Sequence, residues 1–204
     1  MNFFGHAVAA HRSSDDPAFL LGAMAPDLLP LCSAVAIAAT SPRVAAGQAH
    51  HLSVDAIFHS TPAFGALQAW AASELRRRGL PRGPARAASH VGIELFLDGT
   101  LAREARARQA YLDCLRHAET TSPFVWRDAV SGERWAALVH RLRAGAIPEA
   151  YRDPTFVAAR IVGALARRPR LALAEADATI LRAFLPTLGA RVASEAPALV
   201  YAVM

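Results

Sequence analysis

Residues 47–59 read GQAHHLSVDAIFH, and residues 89–98 read SHVGIELFLD. In the first stretch His51, Asp55 and His59 recur every fourth residue; in the second His90, Glu94 and Asp98 do the same. Apolar and polar residues do not alternate between them, so both stretches read as helices rather than strands. On a helix, residues four apart stand one turn apart on one face, displaced by about 6 Å along the axis and about 40° around it. Each stretch therefore carries a polar stripe.

The flanks of the stripes are apolar: Leu52, Val54, Ile57 and Phe58 around the first, and Val91, Ile93, Leu95, Phe96 and Leu97 around the second. Helices that are apolar almost all round are expected to be buried. Buried acids and imidazoles must be paired or bound to metal, because an isolated ionised group is heavily penalised there. Neutral imidazole nitrogen and carboxylate oxygen suit Zn, Mn and Fe, and bundles build metal sites from ligands on facing helices. The ends of one stripe lie about 12 Å apart, too far for one ion to collect all six groups. Either two ions share the site, or some members orient the ligands. The plainer alternative makes the histidines satisfied core residues and pairs the acids with arginines.

Two further groups are expected to converge here. His6 lies in the apolar NFFGHAVAA and Asp27 in LGAMAPD, and each could close the coordination sphere. Asp27 could equally cap a helix beginning near Leu28, and His6 could be a hydrogen-bonded structural residue. His50 adjoins His51 and points about 100° away from it. That pair offers one ligand and one proton donor, and the sequence leaves open which is which.

Outward from these stretches the same periodicity continues, and no segment alternates convincingly. Helices are expected over 2–12, over 17–39 with breaks near Pro26 and Pro30, over 44–60 and over 62–78. GLPRGP at 79–84 is a break, after which 85–119 forms one helix or two joined near Gly99. A loop over 120–131, helices over 132–143 and 154–167, and a last helix over 171–194 complete an all-α bundle or array, taken as a single domain over 1–204. Alanine supplies much of the 53% apolar content, a composition that favours helix.

Composition limits the function classes. The apolar run from Ala18 to Ala39 is interrupted by Pro26, Asp27 and Pro30, and a carboxylate near its middle argues for a buried helix rather than a membrane span. MNFFGHAVAAHR lacks a basic leader followed by a long apolar run, so the cytoplasm is the expected compartment. Cys32 and Cys114 have no CxxC spacing, which excludes a thiolate metal site of that kind. All 22 basic residues are arginines, and 15 of them lie after residue 100, where a basic surface favours an acidic or phosphorylated partner. No nucleic-acid recognition motif accompanies them.

Several of these segments together resemble the acyl carrier protein phosphodiesterases, a branch related to the HD superfamily of metal-dependent phosphohydrolases. The opening MNFFGHAVAA is similar to that family's opening, FLLGAMAPD leads to Asp27, and Gly47, His51 and Asp55 look like its G-x-x-x-H-x-x-x-D helix. Glu94 and Asp98 in ELFLDGTLA resemble its later pair of acids, and YRDPTF (151–156) and ALARRPRL (164–171) extend the similarity over most of the chain. The resemblance implies an α-helical fold, a divalent metal, often manganese, and removal of 4'-phosphopantetheine from acyl carrier protein. This chain departs from the pattern at His59, where an acid is usual, at Glu94, where Asp is usual, and at Gly99, where a His follows the Asp; His90 has no counterpart. FLLGAMAPD also looks like the zinc-dependent phospholipase C group.

The expected function is hydrolysis of a phosphodiester by metal-activated water, with one or two ions of Mn, Zn or Fe. His51, Asp55, Asp27 and Asp98 are the expected ligands, completed or oriented by His6, His59, His90 and Glu94. His50 would protonate the leaving alkoxide. Arg86, Arg152, Arg167, Arg168 and Arg170 are candidate contacts for acidic acyl carrier protein. The alternatives are a phospholipase C-like hydrolase and a non-catalytic helical binding protein, which metal analysis separates from an enzyme.

Overall fold

A computed structural model describes residues 1–145 and 147–204. The elements run α1 (Phe3–Ser13), α2 (Pro17–Cys32), β1 (Ala36–Ala39), α3 (Pro42–Ser60), α4 (Pro62–Arg77), α5 (Arg82–Leu101), α6 (Ala105–Thr120), β2 (Phe124–Trp126), α7 (Ala129–Ala144), α8 (Ile147–Ala150), α9 (Pro154–Ala166) and α10 (Glu175–Val200). Apart from one two-stranded ribbon, the described residues form an all-α array.

Helix starts follow local chemistry. Asp16, Thr61, Asp128 and Asp153 each accept a hydrogen bond from a backbone N–H of the first turn, at 2.7–3.3 Å. In three of these cases a proline follows the cap, where its missing N–H costs nothing.

Five expectations are corrected. The helix expected to break near Pro26 and Pro30 runs through both to Cys32, because its face of Leu20, Leu21, Met24 and Leu28 is fully buried and burial outweighs the missing bonds. It stops at Ser33, which takes a left-handed φ of 54° while Ala34 N–H bonds Leu29 C=O at 3.2 Å. Residues 36–39 are then strand, not helix, and 124–126 are strand, not loop: β1 and β2 pair antiparallel, Ala36 with Trp126 and Ala39 with Phe124. The long helix after residue 84 divides at 102–104, not at Gly99, and the last helix is shifted to 175–200.

The chain forms two compact units, each drawn from separate stretches. In the first (Met1–Ile57, Leu101–Ile147 and Val203–Met204), α1, α2, α6 and α7 pack around Phe3, Phe4, Leu21, Met24, Tyr111, Leu115 and Val139. Tyr111 anchors this core, its ring 5.4 Å edge-on from Phe4 and 6.1 Å from Phe3.

In the second (Phe58–Thr100 and Pro148–Ala202), α10 packs on α4 and α9 around Leu67, Ile161, Leu181, Phe184 and Leu188. Gly92 of α5 lies under Leu188 and Ile161, and Gly189 of α10 under Phe96, so α5 seats closely in this core. No helix among the described residues is long and apolar enough to cross a membrane.

Candidate metal centre

The first cluster is built by a helix crossing in the first unit. A Cβ placed on Gly22 would meet Val44 O at 2.2 Å, and one on Gly47 would meet Phe19 O at 2.1 Å. The backbones of α2 and α3 therefore touch, and Val44, Gly47, His51 and Val54 form the buried face of α3. His51, one turn after Gly47, bonds Ala23 C=O through Nδ1 at 2.9 Å. A carbonyl can only accept, so Nδ1 carries the proton and Nε2 keeps its lone pair.

His6, on α1, stacks on His51 with ring centroids 3.8 Å apart. Its side chain is fully buried, and neither ring nitrogen has a hydrogen-bond partner among the described residues. Its Nε2 stands 3.5 Å from Asp55 Oδ1 and 3.9 Å from Asp27 Oδ2. One ligand atom from each of His6, Asp27 and His51 lies within 4.8 Å of the other two. Asp55 Oδ1 also accepts from the Met1 amine at 2.8 Å. Burial pushes His6 down to about 4 and lowers His51 as well, so both imidazoles are held neutral, the form that ligates metal.

His59 of α3 joins His90 and Glu94 of α5 in a second cluster, within the second unit. Glu94 Oε1 lies 3.0 Å from His59 Nε2 and 3.2 Å from His90 Nε2. Burial, the largest influence, would raise the Glu94 carboxyl, but hydrogen bonds to the two imidazoles outweigh it and hold the group below the usual carboxylate range. His59 and His90 line a cavity of about 620 Å³ together with Phe64, Gln68, Arg86 and Arg168. Gln68 was not anticipated; the signal lay in its four-residue spacing from Phe64 on α4.

Asp98 is fully buried in α5. The ring of His50 tilts against Phe19 at 5.2 Å, outside the group that His51 joins. Arg152, Arg167 and Arg170 are exposed, and only Arg86 and Arg168 of the five arginines line the cavity. The flank of α3 is not buried all round: Leu52 is 68% and Ile57 44% exposed, because α3 buries a single face.

Gly99 has a structural reason to lack a side chain. A Cβ there would meet the Tyr151 carbonyl carbon at 2.6 Å and Arg152 N at 2.8 Å. Gly99→His, which restores the residue of the resembled pattern, is therefore expected to destabilise the chain by about 2–3 kcal/mol in urea unfolding and to add no metal equivalent.

No family model, curated protein or solved structure matches the chain. What the site can do is read from its own chemistry.

Proposed function

We propose that the chain is a metal-dependent phosphodiester hydrolase whose ion is held by His6, Asp27, His51 and Asp55. The observation that carries this reading is a pair of buried, neutral, stacked imidazoles: one has its Nδ1 engaged by Ala23 C=O, and the other has two unpartnered ring nitrogens beside two carboxylates. An uncharged core would leave His6 costly, whereas a cation between these groups would satisfy it. The donor set fits Mn, Zn or Fe.

A divalent ion held there acidifies water and neutralises charge on a phosphoryl group. The chain's own contributions are distinct. Ala23 C=O fixes the His51 ring and its tautomer, as outer partners of metal-binding histidines do. Asp27 and Asp55 bring the negative charge that balances a dication, and the buried α1 face around His6 keeps water from one side.

The substrate suggested by the resemblance is holo acyl carrier protein, with 4'-phosphopantetheine as the group released. The exposed arginines Arg152, Arg167, Arg168 and Arg170 would attract so acidic a partner. Incubated with Mn²⁺ and the purified chain, holo carrier protein is expected to shift to the apo mass. An unchanged mass with Mn²⁺, Zn²⁺ and Fe²⁺ alike rejects this substrate; failure to cleave a simple activated phosphodiester as well rejects the hydrolase reading.

A further inference from the structure

We propose that His59, His90 and Glu94 form a second, self-contained transition-metal site of the zinc type, open to the neighbouring cavity and taking an anionic ligand beside Arg86 and Arg168. The inference goes beyond the hydrolase reading and does not depend on the first cluster being occupied.

The donor set is the first ground. Two imidazoles and one carboxylate are a set that leaves a coordination position of a tetrahedral ion open. Geometry is the second. Ligand atoms held about 2.0–2.1 Å from a tetrahedral ion stand roughly 3.3–3.4 Å from one another. The separations of 3.0 and 3.2 Å between Glu94 Oε1 and the two Nε2 atoms fall a few tenths of an ångström short of that, so small side-chain shifts admit the ion.

Preorganisation is the third. The rings of His59 and His90 are nearly parallel, 16° apart, with centroids at 4.9 Å. Phe64 braces both edge-on, at 4.8 Å from His59 and 5.3 Å from His90. Gln68 lies 3.1 Å from His90 Nδ1. Its amide nitrogen donates to that Nδ1 and holds the ring, so Nε2 carries the proton directed at Glu94 Oε1, which an incoming ion would displace.

The cavity supplies the fourth ground. Both imidazoles are part of its wall, so an ion between them is reachable from it. Arg86 and Arg168 line the same space, and two guanidiniums favour a carboxylate or phosphate over water at an open position. The second group, two imidazoles and one carboxylate, is a set that suits Zn²⁺.

Zinc titration by calorimetry on the chelator-treated full chain, with Co²⁺ spectra in parallel, tests this. Wild type is expected to take two equivalents, and His51→Ala to lose one while keeping the visible band of four-coordinate cobalt. His90→Ala is expected to lose the other equivalent and that band, with affinity at this site falling more than ~100-fold. His90 is more than a third exposed, and Glu94→Gln, which preserves shape, is a second variant expected to weaken the same equivalent. Zinc stoichiometry and cobalt band unchanged in both His90→Ala and Glu94→Gln overturn the site. Inorganic phosphate should shift the cobalt band in wild type but not in an Arg86→Ala, Arg168→Ala double variant; a band indifferent to phosphate in wild type overturns the anionic ligand. Failure of the hydrolase reading would appear separately, in His51→Ala and in the carrier-protein mass.

Discussion

His51→Ala is expected to lower metal affinity at the first cluster by more than ~100-fold and to abolish phosphodiester cleavage, while His50→Ala keeps the metal affinity. Loss of outer partners alone weakens metal sites 10- to 100-fold, and removal of a ligand exceeds that. The contrast arises from a difference of one residue on α3. His51 shares the buried face with Gly47 and reaches Ala23 C=O, whereas His50 turns away and packs on Phe19. Calorimetric titration with Mn²⁺ and steady-state cleavage of an activated diester read the two effects. Equal losses of metal affinity in the two variants would remove the assignment of His51 as the ligand.

Gly47→Ala is expected to cost about 3 kcal/mol, at the upper end of overpacking effects, because the added methyl would meet backbone on two sides, Phe19 O at 2.1 Å and Ala23 N at 2.8 Å. No flexible side chain can yield there, so α2 and α3 must separate. For a chain of this size the melting temperature should fall by roughly 6–12 °C. Metal affinity should fall with it, since separation draws His51 away from Ala23. Gly65→Ala and Gly163→Ala provide the opposite sign: both glycines are helical and an added Cβ there meets nothing within 4 Å, so each exchange should stabilise by about 0.4–1 kcal/mol. If Gly47→Ala melts like wild type, the two helices do not touch.

Much of the fold is legible in the sequence. Helix periodicity and cap residues placed most helices to within a few residues, because both are local signals. β1 escaped notice because Ala-Ile-Ala-Ala has no strand pattern of its own; its partner lies far along the chain, and pairing rather than propensity makes it a strand. The uninterrupted α2 escaped for a related reason: the burial that offsets two prolines is tertiary.

At the site, the four-residue spacing put His51 and His59 at opposite ends of one stripe, and each belongs to its own group of possible metal ligands. His51, Asp55 and His59 drift about 40° per turn around α3, and that drift hands the last of them to α5 while the first faces α1 and α2. Asp98 continues the stripe on α5 and is fully buried. Gly99 departs from the resembled pattern; its closeness to the Tyr151 and Arg152 backbone gives it a packing role that no spacing rule contains.

The ribbon of β1 and β2 carries exposed Val35, Ile37 and Val125, the composition of a surface on which a third strand from another chain could grow. Its register slips between Ala36 and Ala38, where Ala36 opposes Trp126 and Ala38 already opposes Val125. A bulge of this kind bends and over-twists the strand that contains it, so hydrogen-bonding groups along the open edge no longer lie in one plane. The same irregularity that shapes this short pairing of distant segments thus makes its rim a poor seed for sheet propagation.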